Sequence, residues 1–163
     1  MTPKFQEKQR FTQWWLWALL IAIALIPAYG VYKQIILGEP FGNVPLPDIG
    51  LILFLLFTLM MIGLFWITEL RTTIDNEAIR IKYVPLTSKE FKWQDIARAE
   101  LVNYGFVGGY GIRLGTQYGT VYNTRGKMGL AIELKNGKKY CIGTQKEEEL
   151  GKLLEEARRQ QKL

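Results

Sequence analysis

The sequence predicts an α+β protein: an N-terminal transmembrane α-hairpin, then an antiparallel β-barrel or sandwich capped by a C-terminal helix. Three observations predict the elements. Two uncharged apolar runs, Trp14–Tyr32 and Ile49–Thr68, stand in the first half of the chain. From Arg71 the hydrophobic period changes to two. Near the end it returns to helical spacing, with Leu150, Leu153, Leu154 and Ala157 at i, i+3, i+4 and i+7. The expected division is a membrane hairpin over residues 1–70, with helices at about 11–32 and 49–69, and a cytoplasmic domain over 71–163.

Each apolar run is long enough to cross a bilayer. At about 1.5 Å per residue, Trp14–Tyr32 extends roughly 28 Å, close to the hydrocarbon thickness. It exceeds the roughly 7–15 residues of a secretory h-region, and Pro27-Ala28-Tyr29-Gly30 makes a poor cleavage site, so the helix is expected to be retained. Trp14, Trp15 and Trp17 at one end, and Tyr29 and Tyr32 at the other, suit the two headgroup layers. Pro27 is expected to kink or end the helix. Lys33–Asp48 holds three prolines and two glycines and reads as an exposed loop, with Ile35, Ile36, Leu37 and Phe41 able to dip into the interface. Basic residues set the orientation. Lys4, Lys8 and Arg10 precede the first run, the loop has only Lys33, and Arg71, Arg80 and Lys82 follow the second run. The positive-inside rule then places both termini in the cytoplasm of a two-pass inner-membrane protein.

The remaining segment has seventeen Lys/Arg against eleven Asp/Glu, a net +6 that accounts for the whole chain's charge. A basic domain suits nucleic acid or an anionic membrane surface. The tether puts the membrane within reach, so lipid is the expected partner and nucleic acid is not; ordinary solubilising charge is the alternative. Cys141 is the single cysteine and there is no histidine. An internal disulfide is impossible, and histidine-dependent zinc, non-haem iron and Ser-His or Cys-His chemistry is excluded.

The strands follow in order. Asp75-Asn76-Glu77 is a turn between Leu70–Ile74 and Ala78–Val84, a hairpin with Ile79, Ile81 and Tyr83 inward and Arg80 and Lys82 outward. Pro85 stops the strand. Lys89–Trp93 is a short strand, and Ile96–Tyr104 is another, entered through a helical turn at Gln94-Asp95. Gly105–Gly111 is a glycine-rich connection. Ile112–Leu114 and Thr120–Asn123 flank a second glycine turn. Leu130, Ile132 and Leu134 alternate into Asn136-Gly137, a favoured type I′ pair, and Lys139–Gly143 returns. Thr144-Gln145-Lys146-Glu147 fits a capping box ahead of the last helix. This gives seven or eight short strands and one helix.

That order resembles the bacterial membrane proteins that carry a pleckstrin-homology-like domain behind a pair of transmembrane helices. The likeness rests on the Asp75-Asn76 turn before an Ile-x-Ile strand, on Trp93-Gln94-Asp95-Ile96, on Gly109-Tyr110-Gly111-Ile112-Arg113, and on Leu134-Lys135-Asn136-Gly137-Lys138-Lys139 leading into Ile142-Gly143-Thr144-Gln145. It covers roughly Glu69 to Glu156. The resemblance implies a membrane-anchored module without known catalysis, and it carries over no catalytic residue.

Candidate chemistry is sparse. Arg71, Arg80 and Lys82 sit where phosphoinositide-binding domains of this kind carry basic residues, and are candidates for meeting anionic headgroups; plain strand solvation is the competing explanation. Phe106 and Tyr110 are candidates for a partner-binding loop, since exposed aromatics ask for a cover. The glycines of 105–111 do not fit G-x-G-x-x-G, and Gly119–Lys127 fails as a P-loop because six residues separate its glycines and Met128 replaces Ser/Thr. Asp95, Glu100 and Glu133 fall at a turn or outward strand positions, with nothing to gather them into a cleft. Cys141 alternates away from Tyr140 and Ile142, as a surface or helix-covered thiol. Neither apolar run has an ionisable residue in its middle, which speaks against transport. The expectation is a non-enzymatic module, without cofactor or metal, that binds partners or self-assembles at the inner face of the bacterial cytoplasmic membrane. The alternatives are anionic-lipid recognition by the basic surface, and an accessory subunit of a transporter or envelope enzyme. A homo-oligomer or a membrane-protein partner is compatible with each.

Overall fold

A computed structural model describes residues 4–159. The chain divides into two compact units, the hairpin Thr12–Ile67 and a β unit built from the residues on either side of it.

The hairpin has the two expected helices. α1 runs from Trp14 to Val31 and continues as a π-helical stretch over Tyr32–Ile36; α2 runs from Asp48 to Ile67. Both are long and apolar enough to cross a membrane. Pro27 neither ends α1 nor marks its boundary: the helix continues for four residues beyond it. Trp17 and Trp66 meet edge to face, ring centroids 5.8 Å apart, which pairs the start of α1 with the end of α2. At the other end Tyr29 meets Phe41 in the same way at 5.9 Å. Gly30 makes this approach possible, because a Cβ there would stand 2.8 Å from the Phe41 ring and 3.1 Å from Leu51. Phe41 is therefore folded against the helices, while Ile35, Ile36 and Leu37 stay exposed.

The β unit begins earlier in the chain than the composition suggested. The polar N-terminal flank forms β1 (Phe5–Arg10), which pairs antiparallel with β2 (Glu69–Ile74), so the hairpin is inserted between two neighbouring strands of one sheet. Period-two alternation explains the strand: Phe5, Glu7 and Gln9 face inward, and Gln6, Lys8 and Arg10 face outward. Two of its three inward residues are polar, which hides it from a hydrophobicity pattern. β3 (Ala78–Val84) and β4 (Thr87–Lys92) complete a first sheet in the order β1-β2-β3-β4. A short 3-10 turn over Trp93–Asp95 leads into β5 (Ile96–Asn103). β6 (Gly111–Thr116), β7 (Gly119–Asn123), β8 (Met128–Leu134) and β9 (Lys139–Gly143) join β5 in a second sheet of order β5-β8-β9-β7-β6.

Two expectations are corrected here. The strands form two sheets and no closed barrel. They are not all antiparallel, because β7 and β9 run parallel with Val121 opposite Cys141. The cause is the β8–β9 hairpin: it places β9 between β8 and β7, and β7 enters β8 through a reversal, so β7 and β9 share a direction. The hairpin turn also differs. Gly137 N–H donates to Leu134 O at 2.8 Å, so Lys135-Asn136 is the centre of the turn and Gly137, at φ +80°, follows as the left-handed residue.

One core lies between the sheets and α3 (Glu147–Arg159). It joins Phe5, Leu70, Ile74, Ile79, Ile81, Tyr83, Phe91 and Trp93 of the first sheet and its turn to Ile96, Leu130, Ile132 and Ile142 of the second, with Leu150, Leu153, Leu154 and Ala157 of the helix. Trp93 also donates its indole N–H to Asp75 O at 2.8 Å. Cys141 is not a surface thiol. It is fully buried in a second small cluster with Tyr104 and Val121, under Val102, Val107 and Tyr118, and burial pushes its thiol up to about 12.

Candidate functional site: a cationic face on the first sheet

The outer face of the first sheet is built by register. Lys8, Arg71, Lys82 and Ser88 stand opposite one another across β1, β2, β3 and β4. Successive outward residues belong to rows about 7 Å apart. One such row is Arg10, Glu69 and Val84; the next beyond the cationic row is Gln6, Thr73, Arg80 and Glu90. Gln6, Lys8, Arg71, Thr73, Arg80 and Lys82 line a shallow hollow on this face.

Glu69 organises the row. Glu69 is 2% exposed, and its carboxylate takes Lys8 Nζ at 2.8 Å, Arg10 Nε at 3.0 Å and the Arg71 guanidinium. Burial alone would raise its pKa; hydrogen bonds from Lys8, Arg10 and Arg71 outweigh this and lower it to about 2. One carboxylate thus holds three cations whose side chains remain about half exposed. Lys82 is exposed and forms no ion pair among the described residues. The surface is left with an excess of positive charge at fixed positions.

Of the sequence candidates, Arg71 and Lys82 come together here. Arg80 shares their sheet face but is engaged elsewhere: its guanidinium pairs with Asp75, reaches Glu90 at 2.8 Å and lies 3.8 Å from Glu77. Asp75 in turn accepts the backbone N–H groups of Glu77 and Ala78, at 2.8 and 2.9 Å. Burial opposes ionisation of Asp75, but these hydrogen bonds and Arg80 keep its pKa below the usual value. Arg80 therefore closes the β2–β3 turn. Lys8 and Arg10 were missed as site residues. Their signal was the alternation QEKQR, masked by the two inward polar residues Glu7 and Gln9.

The two loop aromatics separate. Phe106 is 86% exposed. Tyr110 is half-buried, and its carbonyl accepts Arg113 Nη2 at 2.9 Å. Contrary to expectation, Glu100 and Glu133 line one hollow with Arg98 and Lys139, but each carboxylate is paired with a cation there, Glu100 with Arg98 and Glu133 with Lys139, and Asp95 is not in its lining. Among the described residues no cluster of His, Cys, Asp and Glu has the arrangement of a metal site.

Comparison of the chain with protein-family models and with curated proteins finds no match in either.

Proposed function

We propose that this protein is a non-enzymatic, membrane-anchored module whose Lys8–Arg71–Lys82 row takes anionic lipid headgroups at the cytoplasmic face of a bacterial inner membrane. The observation that carries the reading is the register that lines up three cations on one rigid sheet face, two of them held by a buried Glu69. Chain connection supports it. Three residues separate Arg10 from α1 and one separates Ile67 from β2, so Arg10 and Glu69 lie within about 14 Å of the apolar spans. Pairing of Arg10 with Glu69 also supports a return of the second span to the side from which the first departed. The excess of basic residues on that side supports its being cytoplasmic. The motif order resembling bacterial pleckstrin-homology-like membrane proteins belongs to this reading, for its two-sheet-and-helix layout and not for a closed barrel.

Each basic residue near an anionic surface contributes about 1 kcal/mol, so three acting together strengthen binding roughly 100-fold. The test is native mass spectrometry of the full chain released from nanodiscs of mixed phosphatidylcholine and phosphatidylglycerol. Retained phosphatidylglycerol should fall with salt and in Lys8→Gln/Lys82→Gln, but not in Arg80→Gln, whose guanidinium is already occupied. Retention unchanged by the double substitution would overturn the lipid reading. A defined multiple of 18.8 kDa, or a co-purifying second polypeptide, would instead favour self-assembly or an accessory subunit.

A further inference from the structure

The β unit exposes three large apolar side chains among its described residues: Leu86, Phe106 and Leu114, at 57%, 86% and 77%. Leu86 and Phe106 lie far apart in sequence, but one set of hydrogen bonds ties their segments together. Leu86 follows β3, and its N–H donates to Tyr83 O at 2.7 Å. The Tyr83 hydroxyl donates to Asn123 O at 3.2 Å. Asn123 holds the 105–111 connection and the start of β6: Gly111 N–H donates to its Oδ1 at 2.9 Å, and its Nδ2 reaches Gly109 O. Phe106 belongs to that connection. Leu114 is apart from them: β6, the edge strand of the second sheet, starts at Gly111 opposite Asn123 and runs away from this end to Thr116 opposite Gly119.

This end of the unit is also where the chain leaves for the hairpin and returns. Tyr83 stands opposite Leu70, and Val84 opposite Glu69, the first residue of β2. On the far side of the end, Thr124 donates its hydroxyl to Gln9 at 3.2 Å, one residue before Arg10. The β7–β8 connection that continues from Thr124 exposes Arg125 and Lys127. Apolar tips beside exposed cations match an interfacial surface, in which rings and branched chains enter the boundary of acyl chains and headgroups while basic groups meet phosphates. The opposite end holds the Asn136-Gly137 turn and, beside Lys139, the β6–β7 turn toward which Leu114 lies.

We infer that this end of the β unit is a second lipid-contacting surface. Leu86 and Phe106 enter the headgroup layer of the bilayer that the hairpin spans, and Arg125 and Lys127 meet its phosphates. The inference rests on the hairpin spanning that bilayer, but not on the Lys8–Arg71–Lys82 row. It assigns Phe106 to lipid and not to a protein partner.

The test places a polarity-sensitive fluorophore on Leu86→Cys, Phe106→Cys or Asn136→Cys in the full chain, reconstituted in nanodiscs of phosphatidylcholine with and without phosphatidylglycerol. Cys141 is completely buried and stays unlabelled. Nitroxide at the lipid headgroup should quench the labels at 86 and 106 roughly threefold or more strongly than the label at 136, in both lipid mixtures, because apolar insertion does not need lipid charge. Equal quenching at all three positions would overturn the inference. Quenching of the hairpin tryptophans by acyl-brominated lipid, read in the same samples, separates that result from failure of the spanning reading, which would abolish tryptophan quenching as well.

Discussion

At the scale of the residue, Glu69 is the group whose ionisation the fold depends on most visibly. Its folded pKa, about 2, lies below the ordinary 4.5. The stability it contributes is therefore fully present above pH 4.5 and is lost as pH falls toward 2. Urea unfolding of the full chain in detergent, followed by circular dichroism, should show stability falling across that window. Glu69→Gln should flatten the fall and lower stability at pH 7 by about 1–3 kcal/mol, since three cations lose their charge partner. An unchanged slope would show that Glu69 is not the titrating group. Gly119 is a second such position. Its φ is +73°, and a Cβ would stand 2.0 Å from the Lys139 carbonyl oxygen across the parallel β7–β9 pair. Gly119→Ala should cost roughly 2–3 kcal/mol from backbone strain alone. Gly137→Ala has a comparable φ but open space, and should cost less by the same measurement.

At the scale of the element, β1 and the last helix depend on each other. Thr144 accepts the N–H of Lys146 at 3.0 Å, two residues on, where the capping pattern predicts the third, that of Glu147. The reciprocal bond is different. Thr144 N–H donates to Met128 O, and the acidic partner at this helix entry is Glu7 of β1, not Glu147. Glu7 takes the Thr144 hydroxyl and the Gln145 N–H, both at 2.6 Å, while Gln9 donates to Gly143 O at 2.7 Å. Glu7→Gln and Thr144→Val should each destabilise the β unit by about 1–2 kcal/mol. Their double mutant should cost less than the sum, because each removes the same bond. Additive losses would separate the two groups. A strand with two buried polar residues carries no amphipathic signature, and the remote partners that satisfy Glu7 and Gln9 lie more than 130 residues away in sequence.

At the scale of the whole molecule, insertion of the hairpin between β1 and β2 makes the β unit depend on both flanks of the membrane segment. Removing residues 1–10 should strip a strand from the first sheet, uncover the site that Phe5 fills and leave Glu69 without Lys8 and Arg10. The outcome to measure is labelling of Cys141, which should change from protected to reactive in the shortened chain. Orientation is checked at the same scale. A cysteine at Val44, which is 90% exposed in the α1–α2 loop, should react with a membrane-impermeant maleimide added from outside intact cells, and one at Asn136 should react only after lysis. Reversed labelling would invert the proposed topology.

Local chemistry by itself determined the two apolar helices, the β2–β3 hairpin with its inward Ile79, Ile81 and Tyr83, the β8–β9 hairpin and the amphipathic last helix. Each rests on a periodicity or turn signal contained within a few neighbouring residues. Of the cationic face, Arg71 and Lys82 were legible because they lie outward on strongly patterned strands. Tertiary structure alone decided that Lys8 and Arg10 join them, that Arg80 is diverted to Asp75 and Glu90, that Cys141 is interior, and that β7 pairs parallel with β9. All four depend on which strands become neighbours. Strand pairing is a long-range choice made by burial of a shared core, so residues far apart in sequence acquire their charge partners only when the sheets assemble.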